Sequence, residues 1–213
     1  MAAQLTLYLY VEGDEILRPS FQIFFQEFRL ALQQRRCGFR VVMYDGNSTT
    51  HSAWRKQRSI EQGRDLHLLL VDSEGPVSAS DETVPDGCQS FLTSEDLATG
   101  DVFFMTQIME SWFLTEPSLL QALYGKDFKR SALPGIPKAR NPTLAGEALE
   151  AVTKHAVLTG LKLATRDTPK GEYESSQGKT TVAPAMLEKL NTRGIAELSY
   201  HLRRLLQRLE SAA

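Results

Sequence analysis

With 213 residues and 42% hydrophobic content, the chain suffices for one full α/β core plus a smaller appendage and is short for two independent enzymatic domains. Its 24 basic residues against 26 acidic ones exclude a global basic footprint for nucleic acid and leave room only for a local patch. Two distant cysteines, Cys37 and Cys88, without CxxC spacing and with 4 histidines, exclude a zinc finger or ribbon and read as reduced structural thiols.

Residues 5–11 (LTLYLYV) lack polar alternation and predict a first strand buried on both faces. An acidic loop with Glu12, Gly13, Asp14 and Glu15 follows, and Ser20 is placed to cap a helix whose Phe21, Phe24, Phe25, Phe28 and Leu32 share one face. Residues 39–44 (FRVVMY) predict a second strand, closed by the Asp45-Gly46 turn. The polar stretch 48–62 reads as a surface helix with Trp54 and Ile60 among Arg55, Lys56, Arg58 and the nearby Arg64.

A third strand spans 66–71 and ends on Asp72, and 73–96 reads as a long loop with a short helix. Residues 101–107 predict a fourth strand, while 108–114 either continue it or open a helix. Pro117 starts a helix over 118–124 that Gly125 stops, and 126–142 is a connector carrying Lys126, Lys129, Arg130, Lys138 and Arg140. Helices are expected from 143 to about 155, over 158–165, near 186–190, and along the stripe Ile195, Leu198, Leu202, Leu205, Leu206 and Leu209. The domain reading is an α/β core over 1–125, with a basic connector and a helical C-terminal portion over 126–213 packed on it. No apolar run reaches the roughly 18 to 20 residues of a membrane span, and the start lacks a signal-peptide pattern, so a cytosolic bacterial protein with no membrane contact is expected.

Strand, helix, strand, helix, strand predicts a right-handed parallel unit, whose strands present their carboxyl ends, where α/β sheets bind ligands, at one edge. Glu12 follows the first strand and Asp72 the third. If these strands are neighbours, the two ends lie about 5 Å apart. Carboxylates so close raise one another's pKa unless a cation lies between them, and a few oxygen ligands with waters suit Mg²⁺ or Mn²⁺. In an extended segment Asp72 and Glu74 point the same way, so both are candidate ligands. Acids without a His or Cys cluster point to Mg²⁺-dependent phosphoryl chemistry, by one metal or two.

VEGDE at residues 11–15, with a strand ending in Asp72-Ser73-Glu74, resembles the Toprim domains of topoisomerases, primases and the overcoming-lysogenisation-defect nucleases, and more closely a Toprim-like bacterial family found beside ATPases in antiphage settings. TQIMESWFLTEP (106–117), IPK (136–138) and ATRDTPKGEY (164–173) are similar to that family's later motifs. The resemblance implies a Toprim-like α/β fold with a mainly parallel central sheet. It also implies a Mg²⁺-dependent or Mn²⁺-dependent nuclease acting on nucleic acid, DNA ahead of RNA, with an ATPase partner protein and with self-association into a homo-oligomer allowed. Glu12 is then the general acid/base or a metal ligand, Asp72 and Glu74 are metal ligands, and Glu15 supports them. Two departures stand out. Glu74 replaces the family's second Asp, and the lysine expected soon after the Tyr of GEY is displaced, with Ser175 near that place and Lys179 further on.

Glu110 is a further candidate ligand, or else a buried carboxylate bonded to backbone or Arg. Lys138, Lys154 and Lys179 are candidates to neutralise a phosphate, with Lys138 and Lys179 in the suggestive local motifs and in the catalytic set with Glu12. GEYESSQGKT is not a P-loop, because the glycine needed before Gly178 is replaced by Tyr173. The alternative to a nuclease is a non-catalytic binding or regulatory subunit of an ATPase partner, and nucleotidyl transfer or RNA processing would use the same ligands.

Overall fold

Four apolar runs become strands: β1 (Thr6–Glu12), β2 (Gly38–Tyr44), β3 (Leu66–Asp72) and β4 (Val102–Met105). The structure is a computed structural model, and it describes residues 5–60, 65–77, 83–137, 148–174 and 178–212. Among them the strands form one parallel sheet in the order β2-β1-β3-β4. Helices α1 (Arg18–Phe24), α2 (Gln26–Gln34) and α3 (Asn47–Ile60) make the crossovers. The short α4 (Ser94–Ala98) precedes β4, and α5 (Pro117–Tyr124) follows it. The C-terminal part holds α6 (Lys154–Thr165), α7 (Ala183–Leu187), α8 (Thr192–Leu198) and α9 (Tyr200–Ala212).

The strands lack polar alternation because both sheet faces are covered. Leu7, Leu9, Val11, Leu68, Leu70, Phe103 and Met105 face one cluster, while Tyr10, Leu69, Val71, Val102 and Phe104 face another with Trp54 and Cys88. Burial of each such side chain favours folding by roughly 1.5–3 kcal/mol, and along β1 and β3 Thr6, Tyr8, Glu12 and Leu66 alone stay partly exposed. The first cluster continues through Phe113 and Leu120 into Leu161, Leu187, Ile195 and Leu205, so the C-terminal helices share the core of the sheet. No helix among the described residues is long and apolar enough to cross a membrane.

Several expectations are corrected. Ser20 does not cap a helix: α1 starts at Arg18, and the buried Ser20 hydroxyl donates to Glu188 at 3.0 Å. The helix expected over 21–32 is two, α1 and α2, meeting at Phe25, whose φ of −97° and ψ of 17° interrupt the spiral. The surface reading of α3 misses that Trp54 is wholly buried and donates from Nε1 to the His67 carbonyl at 3.0 Å. Of the two alternatives for 108–114, the chain opens a helix, of the 3-10 kind, over Met109–Thr115. The helix expected from 143 to about 155 begins at Lys154 within the described residues, because Thr153 is extended and caps it, accepting from the Ala156 N–H at 3.2 Å. The stretch from 143 to 147, Arg64, Lys138, Arg140 and Ser175 lie outside the described residues, as does the side chain of Lys179.

Candidate metal centre

The sheet order makes β1 and β3 direct neighbours, with Val11 opposite Leu70. Glu12 and Asp72 therefore close adjacent parallel strands at the same edge, each as the last residue of its strand rather than the first beyond it. Their contact is direct. Glu12 Oε2 accepts a hydrogen bond from the Asp72 backbone N–H at 3.0 Å. Asp72, buried, accepts on Oδ1 from the Met109 N–H at 3.1 Å, where the 3-10 helix after β4 begins.

Cys88 lies under the same edge, its thiol 3.6 Å from the carbonyl oxygens of both Asp72 and Ser73. Burial pushes this thiol up to about 12, and the negative charges of Glu12, Glu74 and Asp72 push in the same direction. This buried sulfur thus lies within electrostatic reach of all three carboxylates.

Glu74 departs from the extended geometry expected of it. Its φ is 56°, so Asp72 and Glu74 do not project side by side from a continuing strand. The Glu74 N–H donates to the Gln107 carbonyl at 3.1 Å, and Gln107 is itself left-handed, with φ 55°. The Ser73 hydroxyl accepts from the Gln107 N–H at 2.8 Å and donates to the Gly75 carbonyl at 2.7 Å. From this turn the Glu74 carboxylate forms an ion pair with the Lys154 ammonium. The Lys154 N–H in turn donates to Gln107 Oε1 at 2.6 Å, which ties the start of α6 to the ends of β3 and β4.

The remaining candidates sit elsewhere. Glu15 begins a 3-10 turn and pairs with Arg18. Glu110 is buried and accepts from the Tyr173 hydroxyl at 2.8 Å, joining the MESWFL and GEY stretches. Burial, followed by the Glu110 charge, pushes the Tyr173 hydroxyl far up. Gly178 of the GKT stretch has a packing role: a Cβ there would lie 2.4 Å from the Tyr173 ring. Among the described residues no three His, Cys, Asp or Glu side chains converge as a ready cage for an ion. Sequence reasoning passed over Ser73, Gly87 and Gln107, and only weighed Lys154. The one local signal was Ser73-Glu74-Gly75, a turn-like run directly after a strand.

At the opposite end of the sheet a cleft of about 560 Å³ is lined by Arg55, Arg58, His67, Asp96 and Asp101. Its guanidinium groups already have partners, Arg55 on Asp96 at 3.3 Å and Arg58 on Asp101 at 3.5 Å.

No protein-family model and no curated protein matches the sequence. Among solved structures the chain is similar to the C-terminal region of the Burkholderia pseudomallei OLD protein, at 14% identity over 99% of this chain and 98% of that one, with a TM-score of 0.48.

Proposed function

We propose that the chain is a Toprim-like nuclease that hydrolyses phosphodiesters with Mg²⁺ or Mn²⁺ held at the edge formed by Glu12 and Asp72. One observation carries this reading: the two acidic residues end adjacent parallel strands, and the Glu12 carboxylate accepts from the Asp72 backbone N–H at 3.0 Å. The residues present fit such an ion. They offer hard carboxylate oxygens without imidazole or thiolate competition, and Mg²⁺ is commonly held by one or two carboxylates, with waters and substrate phosphates completing its shell.

When bound, the ion lowers the pKa of a coordinated water and neutralises charge developing on the phosphate. Glu12 would help hold such an ion or accept a proton as general base, and Asp72, whose Oδ1 accepts from the Met109 N–H, would help hold it. Lys154, at the same edge, is engaged by Glu74. The sequence resemblance adds an ATPase partner and a role in antiphage defence, with DNA as the first substrate to test.

The test is cleavage of DNA and RNA by the purified chain in Mg²⁺ or Mn²⁺, with and without its ATPase partner. Metal-dependent cleavage that Asp72→Ala abolishes is the expected result, and its absence under all these conditions sinks the proposal. The engagement of Glu74 by Lys154, which leaves no convergent trio of acids, favours a second reading as a non-catalytic binding module. Calorimetric Mn²⁺ binding by the wild type, lost in Glu12→Gln, separates a metal site from a module that binds no metal.

A further inference from the structure

The two edge strands of the sheet are finished differently. Along β4 runs α9, which touches side chains on both faces of that strand: His201 packs on Phe104 with ring centroids 5.0 Å apart, and the Arg204 guanidinium lies 5.4 Å over Phe103. Arg208 ties the helix to the residue before β4, donating from Nε to Asp101 at 3.0 Å. β2 is the other edge strand, 7 residues long, and among the described residues no strand pairs with its outer side. In a parallel strand the N–H and C=O of alternate residues turn to the same neighbour. Gly38 N–H donates to the Leu5 carbonyl and the Tyr44 carbonyl accepts from Gly13 N–H, so Gly38, Arg40, Val42 and Tyr44 turn toward β1. Phe39, Val41 and Met43 therefore present their backbone groups outward. A cleft of about 460 Å³ lies along them, bordered by Arg18 and Gln22 of α1. Long uncovered edges template pairing with another chain, and proteins ordinarily block them.

We infer that β2 pairs with β2 of a second copy of this chain, antiparallel and centred on Val41, to make one continuous sheet across a two-fold axis. The register follows from the outward groups. Val41 faces the partner's Val41 and Phe39 faces the partner's Met43, so every outward residue exchanges both of its hydrogen bonds and none is left over. Arg40 lies opposite the partner's Val42, which keeps the two Arg40 guanidinium groups out of the directly opposed position where like charges destabilise. Charge selects the second copy as the occupant. Arg35 and Arg36 stand exposed just before β2 and Asp45 just after it, and none of these side chains has a partner among the described residues. Antiparallel self-pairing lays the acidic end of each β2 on the basic end of the other, twice over, as one self-complementary surface requires. Apolar area is available beside the strand: Tyr44 ends it, α1 packs on it, and Tyr44, Ile23 of α1 and the neighbouring Ile16 are all exposed.

The experiment weighs the full-length chain by light scattering and sedimentation, without metal or nucleic acid, so its outcome is independent of the metal reading. Wild type is a dimer. Arg36→Asp and Asp45→Arg each weaken dimerisation by about tenfold or more, because like charges then meet at both ends of the interface, and the double variant recovers most of that loss. Both positions are exposed, so the variants keep the wild-type urea midpoint. Oxidative cross-linking on a Cys37→Ser background reads the register. Arg40→Cys mixed with Val42→Cys forms an intermolecular disulfide, because these positions face each other as a non-hydrogen-bonded pair with Cα atoms about 4.5 Å apart, and neither variant cross-links alone. A wild type that stays monomeric up to about 0.1 mM overturns the self-pairing and leaves the edge to a strand of another protein. A dimer indifferent to both charge variants, a double variant no better than the single ones, or a dimer without the mixed disulfide overturns it equally.

Discussion

Gly87→Ala probes how tightly the Glu74 turn is held. A Cβ at residue 87 would lie 2.5 Å from Glu74 Cβ, 2.9 Å from the Ser73 carbonyl oxygen and 3.3 Å from the Glu74 carbonyl carbon. None of these atoms is the far end of a flexible side chain, so the strain falls on the backbone of the turn. Overpacking of this kind destabilises by about 1–3 kcal/mol. Gly87 is not in the left-handed region, so alanine meets no backbone penalty there and recovers about 0.4–1 kcal/mol through the unfolded chain. The expected net loss is about 1–2 kcal/mol, read from urea denaturation. The turn follows Asp72 directly, so its displacement should also weaken Mn²⁺ binding severalfold by calorimetry. The control is Gly100→Ala, where φ is 73° and nothing lies within 4 Å: backbone strain of about 1–2 kcal/mol is expected with Mn²⁺ affinity unchanged. If Gly87→Ala were as stable as wild type and bound Mn²⁺ equally well, the turn would not be clamped as described.

Three further outcomes are expected. Tyr173→Phe removes the hydroxyl that donates to buried Glu110 and should lower stability by about 1–3 kcal/mol, seen as a lower urea midpoint at unchanged slope. His201 is buried, and both ring nitrogens lack partners among the described residues; burial, with the nearby Arg204 charge, pulls its pKa from 6.5 to about 3. The unfolded chain therefore binds the proton first, and stability is lost as pH falls from 6.5 toward about 3. His201→Phe should remove that loss and gain about 2 kcal/mol relative to wild type at pH 5 over its difference at pH 8, measured by paired melts. Burial raises the Glu150 carboxyl despite hydrogen bonds from Ser199, Thr106 and Tyr200, so the folded state keeps this proton longer than the unfolded chain. Its contribution is present below the unfolded value of 4.5 and is lost as pH rises through the higher folded value, so Glu150→Gln should compare better with wild type at pH 7 than at pH 4. An equal difference at both pH values would refute this.

The parallel sheet was legible because its strands are uninterrupted apolar runs, and a strand buried on both faces writes burial into every position of its sequence. Glu12 and Asp72 could be placed together for the same reason, since strand ends and crossover rules need only local signals. What escaped was non-local. Nothing in ATRDTPKGEY says that Tyr173 must reach Glu110, 63 residues away, and nothing around Thr153 says that the helix cap will deliver Lys154 to Glu74, 80 residues away. Trp54 was misjudged because α3 is basic around it. A single large aromatic among charges gives a weak periodic signal, yet it buries more area than any neighbour.

Three carboxylates at one sheet edge would destabilise each other if each were left to its own charge. Here each meets a donor from a different part of the chain: Glu12 the Asp72 N–H, Asp72 the Met109 N–H, and Glu74 the Lys154 ammonium. The first two donors are backbone dipoles, which carry no net charge. The third is a full charge, which cancels the potential at Glu74. The asymmetry comes from the backbone as much as from the acids. Had Glu74 kept the extended conformation of β3, its carboxylate would project beside Asp72, out of line with the Gln107 carbonyl that now binds its N–H. The left-handed turn at Glu74 thus sets which neighbour this carboxylate meets, and the identity of the acid alone does not.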